Sequence, residues 1–413
     1  MIKRNIEQTF RDALKDSPAV FLNGARQSGK STLVQAIIED GYPAAYVTFD
    51  DVAMLSAAKS DPKSFLRSFE GPVALDEVQR VPELFLTIKS EVDRSRRAGR
   101  FILTGSANVL LLPKLAESLA GRVEILTLWP LSQGEIEGTK ESFIDFLFAE
   151  AMARAKPQIV SRRKIIQRVT RGGYPEIFLR EPDARRDTWY GSYINTILQR
   201  DVRDMAHIEG LTQLPRLLSM LATRVSQLLN VADVANSLTM PQTTLKRYLT
   251  LLETTYILQT VPAWSPNIGK RFIKSPKILV CDSGLLTYLL GGSAEYYEQQ
   301  PVAFGPILEN FLTMELVKQI SWSKTRPQLF HFRSLRGHEV DLVLEDRRRR
   351  IVGIEVKTSG TVAQSDFKNL MVLSEIASRN FHRGVVLYTG SDVVPFGNNL
   401  FALPMSILWM KRT

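Results

Sequence analysis

The sequence predicts an α/β fold that opens on a parallel sheet alternating with helices and continues into helical, small and mixed α/β units. Three observations predict it. Residues 24–31 read Gly-Ala-Arg-Gln-Ser-Gly-Lys-Ser, a complete G-x-x-x-x-G-K-[ST] loop set between a short apolar run at 19–22 and a helical stretch from Ser31. A second apolar run, 72–75, ends in Asp76-Glu77. Further short apolar runs at 45–49, 101–106 and 123–128 alternate with helical spacing, as around 84–94.

Strand, glycine loop and helix N-terminus together form a phosphate cradle. Gly24 and Gly29 let the backbone turn inward, Lys30 sets a positive charge against the β- and γ-phosphates, and the Ser31 hydroxyl is a Mg²⁺ ligand. The expected ATP contacts are Gly24, Ala25, Arg26, Gln27, Ser28, Gly29, Lys30, Ser31 and Thr32. Asp76 reads as a second Mg²⁺ support and Glu77 as the group that polarises attacking water. Thr104 or Ser106, closing the 101–106 run, is placed to sense the γ-phosphate; a plain strand-end turn explains the same letters. Arg122 either reaches the γ-phosphate of a neighbouring subunit, as in ring-forming ATPases, or is a surface arginine beside a turn glycine.

The bulk properties narrow the function classes. With 413 residues, 44% hydrophobic and 23% charged, the chain has the composition of a soluble multidomain protein. No apolar run approaches the roughly 18–20 residues of a membrane span. Lys3, Arg4 and Glu7 stand where a signal peptide needs apolar residues, so a cytoplasmic location is expected. Cys281 is the lone cysteine, which excludes an internal disulfide and a cysteine-based zinc cluster. A net charge of +10 favours polyanionic partners, nucleic acid among them.

Four units follow in order: 1–145 the nucleotide-binding core, 146–212 a helical lid or linker, 213–265 a winged helix, and 266–413 a second α/β domain. Within the lid, Arg171-Gly172-Gly173-Tyr174-Pro175-Glu176 breaks the helical pattern, and Pro175 either shapes a lid over the adenine or sits in a structural turn. The winged-helix reading rests on helical spacing over 214–229, on Val231, Val234 and Leu238, on Leu245, Tyr248, Leu249 and Leu252, and on a strand over 256–263. Gln242, Thr243, Thr244, Lys246 and Arg247 face outward from its second recognition-type helix, toward a DNA backbone or a protein partner.

A second constellation lies in 305–360. Glu309 shares a helix face with Leu312 and Leu316, where a carboxylate needs a partner. Glu339-Val340-Asp341 and Glu355-Val356-Lys357 lie on two strands joined by a turn at 345–350. Glu355 and Lys357, two apart, point to one side, and Asp341 on the neighbouring strand can join them. Asp341 and Glu355 as Mg²⁺ ligands with Lys357 beside the water would suit a metal-dependent phosphodiesterase; solvated charges on a strand pair are the alternative.

With these strings in place, the chain resembles the prokaryotic AAA-superfamily ATPases of the AAA_14 type with a C-terminal DUF4143 region. Beyond the loop, the resemblance is carried by Leu75-Asp76-Glu77-Val78-Gln79, Leu103-Thr104-Gly105-Ser106, Leu119-Ala120-Gly121-Arg122, Gly172-Gly173-Tyr174-Pro175 and Gln199-Arg200-Asp201-Val202. It continues through Asp282-Ser283-Gly284-Leu285 and Gly305-Pro306-Ile307-Leu308-Glu309-Asn310-Phe311. The resemblance implies an AAA core, a helical lid, a winged helix and a PD-(D/E)XK, restriction-endonuclease-like end, with Glu309, Asp341, Glu355 and Lys357 as the nuclease-like set. Ser31 stands where threonine is more usual. The expectation is a Mg²⁺-dependent ATPase controlling a DNA-directed, nuclease-like module, with a homo-oligomer as its assembly. The alternative is a nucleotide switch whose C-terminal domain is inactive and binds a protein partner. A small-molecule kinase is disfavoured, having no use for the last two units.

Overall fold

A computed structural model of the chain describes residues 2–108, 121–150, 158–202 and 213–410. Its first sheet is five-stranded, in the order β2-β3-β4-β1-β5, with β1 (Ala19–Asn23), β2 (Ala45–Thr48), β3 (Val73–Asp76), β4 (Phe101–Gly105) and β5 (Val123–Thr127). Every neighbouring pair is parallel. The central strand β1 carries no charge and is buried along its length, as a strand covered on both faces requires. Alternate side chains serve the two faces. Val20 and Leu22 join Phe10 and Leu14 of α1 (Glu7–Asp16) and Val34 and Ile37 of α2 (Lys30–Glu39). Ala19 and Phe21 join Phe85, Ile88 and Val92 of α3 (Glu83–Arg94). All five strands point their C-terminal ends to one edge, which gathers the glycine loop and the two acids.

The helical segment begins with Phe143–Leu147. α4 (Arg162–Arg171) buries Ile165, Ile166 and Val169; α5 (Asp183–Thr196) buries Trp189, Tyr190, Tyr193 and Ile194 and continues as a π-helical turn, Ile197–Val202. Three helices follow, α6 (Leu214–Thr223), α7 (Val231–Ser237) and α8 (Gln242–Thr254), and then β6 (Leu258–Val261) paired antiparallel with β7 (Lys277–Val280). The sequence pattern carries α6 on to 229, but the helix stops at Thr223. Ser226 has φ +61°, its N–H bonds the Ile278 carbonyl at 2.8 Å, and Leu229 N–H bonds Pro276 O at 2.8 Å. Val225 and Leu229 keep helical spacing, yet the backbone between them turns to meet the edge of β7. β7 itself lies beyond 265, in the segment the sequence assigns to the last domain, although its partner strand precedes that boundary.

α9 (Ser283–Leu289) and the twenty-residue α10 (Pro301–Ile320) lead into a mixed six-stranded sheet in the order β12-β13-β11-β10-β9-β8. Its strands are β8 (Gln328–Arg333), β9 (Glu339–Glu345), β10 (Ile351–Val356), β11 (Phe381–Tyr388), β12 (Val394–Pro395) and β13 (Leu400–Pro404). α11 (Lys368–Ala377) brings Leu370 and Leu373 onto the face formed by Val340, Val343 and Ile351. Leu342, Leu344, Val352 and Ile354 on the other face share a core with Phe311 and Leu312 of α10. The C-terminal end of α10 docks on the first domain: Lys318 Nζ donates to Leu131 O at 2.9 Å, Glu315 accepts from Gln133 N–H at 2.8 Å, and Gln319 accepts from Phe143 N–H at 3.1 Å.

β6 continues into the last sheet at His331, whose carbonyl accepts from Trp264 N–H at 2.6 Å. Its ring is buried, with Nε2 3.1 Å from Ser275 O, while Nδ1 has no hydrogen-bond partner among the described residues. Burial, with the nearby Lys277 ammonium, holds its pKa down at about 4. In the unfolded chain the imidazole titrates near 6.5, so between those values the unfolded state binds more protons. Stability is therefore expected to fall as pH drops from about 6.5 toward about 4, and His331→Gln should flatten that slope in urea titrations taken across the range. An unchanged slope would show that other groups govern acid sensitivity.

Candidate nucleotide site and a second carboxylate cluster

The loop closes over the end of β1 with two residues in left-handed backbone, Gln27 (φ +60°) and Gly29 (φ +96°). Gly24 (φ +146°) is fixed by contact as well as conformation: a Cβ there would lie 2.1 Å from Leu128 O. Gly29 caps α2, whose first residue is Lys30, so the free N–H groups of the helix start face the loop interior. Lys30 is buried, its ammonium held by Gly24 O at 3.0 Å and Ala25 O at 2.9 Å. Arg4, from the segment before α1, braces the loop from outside through Ser28 O at 2.7 Å and Trp129 O at 2.6 Å.

Across the loop, Asp76 at the end of β3 is buried and ringed by hydroxyls. Ser31 Oγ stands 3.0 Å from both carboxylate oxygens, Tyr46 O–H donates to Oδ2 at 2.8 Å, and Thr104 O–H donates to Oδ1. This donor set is hard oxygen throughout and fits Mg²⁺. Tyr46 was not singled out in the sequence; β2 brings it there, and burial together with the Asp76 charge pushes its phenol above the ordinary range, so it stays a donor. Glu77 takes left-handed backbone (φ +58°) and its N–H donates to Thr104 Oγ1 at 3.2 Å. Its carboxylate accepts from Gln79 Nε2 and from Ser106 O–H at 3.3 Å, while Gln79 also reaches Ser106 Oγ at 3.1 Å. Thr104 and Ser106 thus divide the two acids between them.

A cleft of about 320 Å³ opens where Lys30, Ser31, Glu77 and Pro175 meet. Beside it a narrower, mainly apolar slot of about 120 Å³ lies between Ile2, Leu33, Leu131 and Pro175. Pro175 lines both. It is carried there by Gly172 (φ +79°) and by Gly173, where a Cβ would stand 2.3 Å from Leu131 O. Arg122 is not in this site. It precedes β5 at the opposite edge of the parallel sheet and holds Asp93 through two contacts, 2.6 and 3.0 Å. Of the outward residues of α8, Gln242, Thr243, Lys246 and Arg247 are exposed and Thr244 is half-buried.

The C-terminal carboxylates converge. Asp341 on β9 meets Glu355 on β10, and its Oδ2 accepts from Val356 N–H at 2.9 Å. Asn369 of α11 lies 3.4 Å from Glu355 Oε1. Glu309 enters from α10. Lys357 stands at the rim, half-buried, 3.7 Å from Asp366. At the centre is a residue the sequence reading passed over, Lys277 of β7. Its ammonium is 2.8 Å from Glu309, 3.0 Å from Glu339 and 3.7 Å from Asp341, with the side chain 2% exposed. Burial first, and the neighbouring carboxylates next, push Glu309 up to about 8 and Glu355 up to about 9; the Lys277 pair acts in the opposite sense on Glu309 without overcoming them. A lysine opening the apolar run Lys277-Ile278-Leu279-Val280-Cys281 was the available signal.

Three family models match the chain. An AAA domain model (AAA_14) matches residues 16–137, a domain of unknown function (DUF8612) matches 162–296, and another (DUF4143) matches 304–408. The uncharacterized proteins Rv2008c of Mycobacterium tuberculosis and Mb2031c of Mycobacterium bovis are each 30% identical over 404 residues, covering 97% of this chain and 83% of theirs. The chain belongs to their family. The uncharacterized protein MJ1544 of Methanocaldococcus jannaschii is 21% identical over 365 residues, covering 84% of this chain and 76% of its own. Among solved structures, the Walker-type ATPase PABY2304 of Pyrococcus abyssi aligns with a TM-score of 0.45 at 14% identity, over 70% of this chain and 96% of that one. The RuvB Holliday junction branch migration motor of Thermotoga maritima aligns at 0.29 and 18%, over 62% and 89%. On the family models, the first domain is an AAA domain, here with a parallel central sheet, and a DUF4143 domain ends the matched region. No helix among the described residues is long and apolar enough to cross a membrane.

Proposed function

We propose that the protein is a Mg²⁺-dependent ATPase whose nucleotide cycle is transmitted to the units that follow the AAA core. The observation that carries this reading is the cleft in which the loop, Glu77 and Pro175 meet, with Asp76 bonded to Ser31 on its wall. In it the phosphates lie on the loop N–H groups, and Lys30 turns from the Gly24 and Ala25 carbonyls to the β- and γ-oxygens. The adenine takes the apolar slot under Pro175, next to Leu131. Ser31 and Asp76 would hold the Mg²⁺, which when bound offsets phosphate charge. Glu77, aimed by Gln79 and Ser106, accepts the hydrogen bond of the attacking water and orients it. Arg122, remote from its own cleft, acts in a neighbouring subunit of a homo-oligomer.

The readout has two candidate parts. β6, β7 and the three helices before them read as a winged helix, and the exposed face of α8 with the +10 net charge favours nucleic acid, DNA in the first instance. The last domain reads as a PD-(D/E)XK nuclease-like fold from Glu309, Asp341, Glu355 and Lys357. The Lys277 ammonium among those carboxylates favours the second reading, a nucleotide switch whose nuclease-like domain binds a partner without cutting. Calorimetry with ATP tests the main proposal: one nucleotide per chain is expected, with Mg²⁺-dependent phosphate release. Well-folded protein that takes up no adenine nucleotide would refute it.

A further inference from the structure

Glu309, Asp341 and Glu355 come from three elements, a helix and two strands, and their meeting has the form of a divalent-cation pocket. The carboxylates are not spaced for a metal ion, and an ammonium stands among them. Lys277 arrives from β7, whose partner strand β6 lies upstream of the DUF4143 region, and places its ammonium 2.8 Å from Glu309, 3.0 Å from Glu339 and 3.7 Å from Asp341. A metal bound to Glu309 or Asp341 would sit about 2 Å from the carboxylate oxygen, within close range of a buried positive charge. Among the described residues no group of three His, Cys, Asp or Glu side chains is arranged to hold a metal ion. The lysine has little freedom to withdraw. Its strand is hydrogen-bonded to β6, a bridge joins Lys277 to Leu228, and its side chain is 2% exposed.

We propose that Lys277 is the resident cation of this cluster, supplied by the preceding unit, and that with it in place the cluster takes no Mg²⁺ and the domain cleaves no phosphodiester. The ammonium satisfies carboxylates from α10 and β9 at once, so it also ties the β6–β7 unit to the last domain. The inference is independent of the ATPase reading, because nothing in it involves the loop or Asp76.

Mn²⁺ titration of the full chain without nucleotide, followed by electron paramagnetic resonance, tests it. The wild type and Asp341→Asn should give the same Mn²⁺ stoichiometry. Lys277→Met, with three carboxylates left facing one another, should gain one Mn²⁺ per chain, and Lys277→Met combined with Asp341→Asn should lose it again. A folded Lys277→Met that gains no Mn²⁺ overturns the proposal. So does a wild-type Mn²⁺ site that Asp341→Asn abolishes, or wild-type cleavage of plasmid or single-stranded DNA in Mn²⁺ that Asp341→Asn abolishes. Those two wild-type comparisons decide the matter even if Lys277→Met does not fold.

Discussion

Lys30→Ala is expected to lower kcat/KM for ATP hydrolysis by about 100-fold or more, about 3 kcal/mol of transition-state stabilisation. The residue is 4% exposed and its ammonium is held in the loop by two backbone carbonyls, so it is already desolvated and has only to turn to the phosphates. A preorganised buried charge acts on developing phosphoryl charge far more strongly than one in water. Glu77→Gln separates binding from chemistry. The amide keeps the size of the side chain and its neighbours Gln79 and Ser106, but it orients water poorly; hydrolysis should fall by a similar factor with calorimetric ATP affinity nearly unchanged. Phosphate release measured from sub-saturating to saturating ATP checks both variants. Turnover of Lys30→Ala equal to wild type would remove the loop from the reaction.

The loop and the acidic strand end were legible because their chemistry is local, written in consecutive residues at fixed spacing. Their partners were not. Tyr46 reaches Asp76 only because β2 lies beside β3 in register, Thr48 against Asp76, and nothing within 45–49 states which strand will be its neighbour. Lys277 reaches Glu309 and Asp341 through a strand pairing that crosses the unit boundary read at 265. Arg122 shows the converse. Its letters match a family string, but in a parallel sheet the start of β5 and the end of β1 lie at opposite edges, so Arg122 stands away from the loop of its own chain, against Asp93. Helical spacing misled at 225–229 because two apolar residues four apart also serve a segment that bridges a strand edge.

Asp282→Ala is expected to cost about 2–4 kcal/mol of stability, a buried unsatisfied donor at about 1–3 and a lost helix cap at about 1 being the main contributions. The carboxylate is 2% exposed and fully used. Oδ2 accepts from Gly173 N–H at 2.7 Å; Oδ1 accepts from Tyr190 O–H at 3.0 Å and, as the cap of α9, from Leu285 N–H at 2.9 Å. Burial and the adjacent carboxylate hold the Tyr190 phenol well above its ordinary range, so it remains a donor that needs an acceptor. The effect should also reach the nucleotide. Gly173 O accepts from Leu131 N–H at 2.7 Å, and Leu131 and Pro175 are the two walls of the apolar slot. Loosening the Gly173 N–H lets that pair drift, so Asp282→Ala should weaken ATP binding as well as lower the urea midpoint. Asp282→Asn keeps an acceptor oxygen and should lose roughly half as much. A variant with unchanged midpoint and unchanged ATP affinity would mean that the Gly172–Gly173 break is held in place by packing alone.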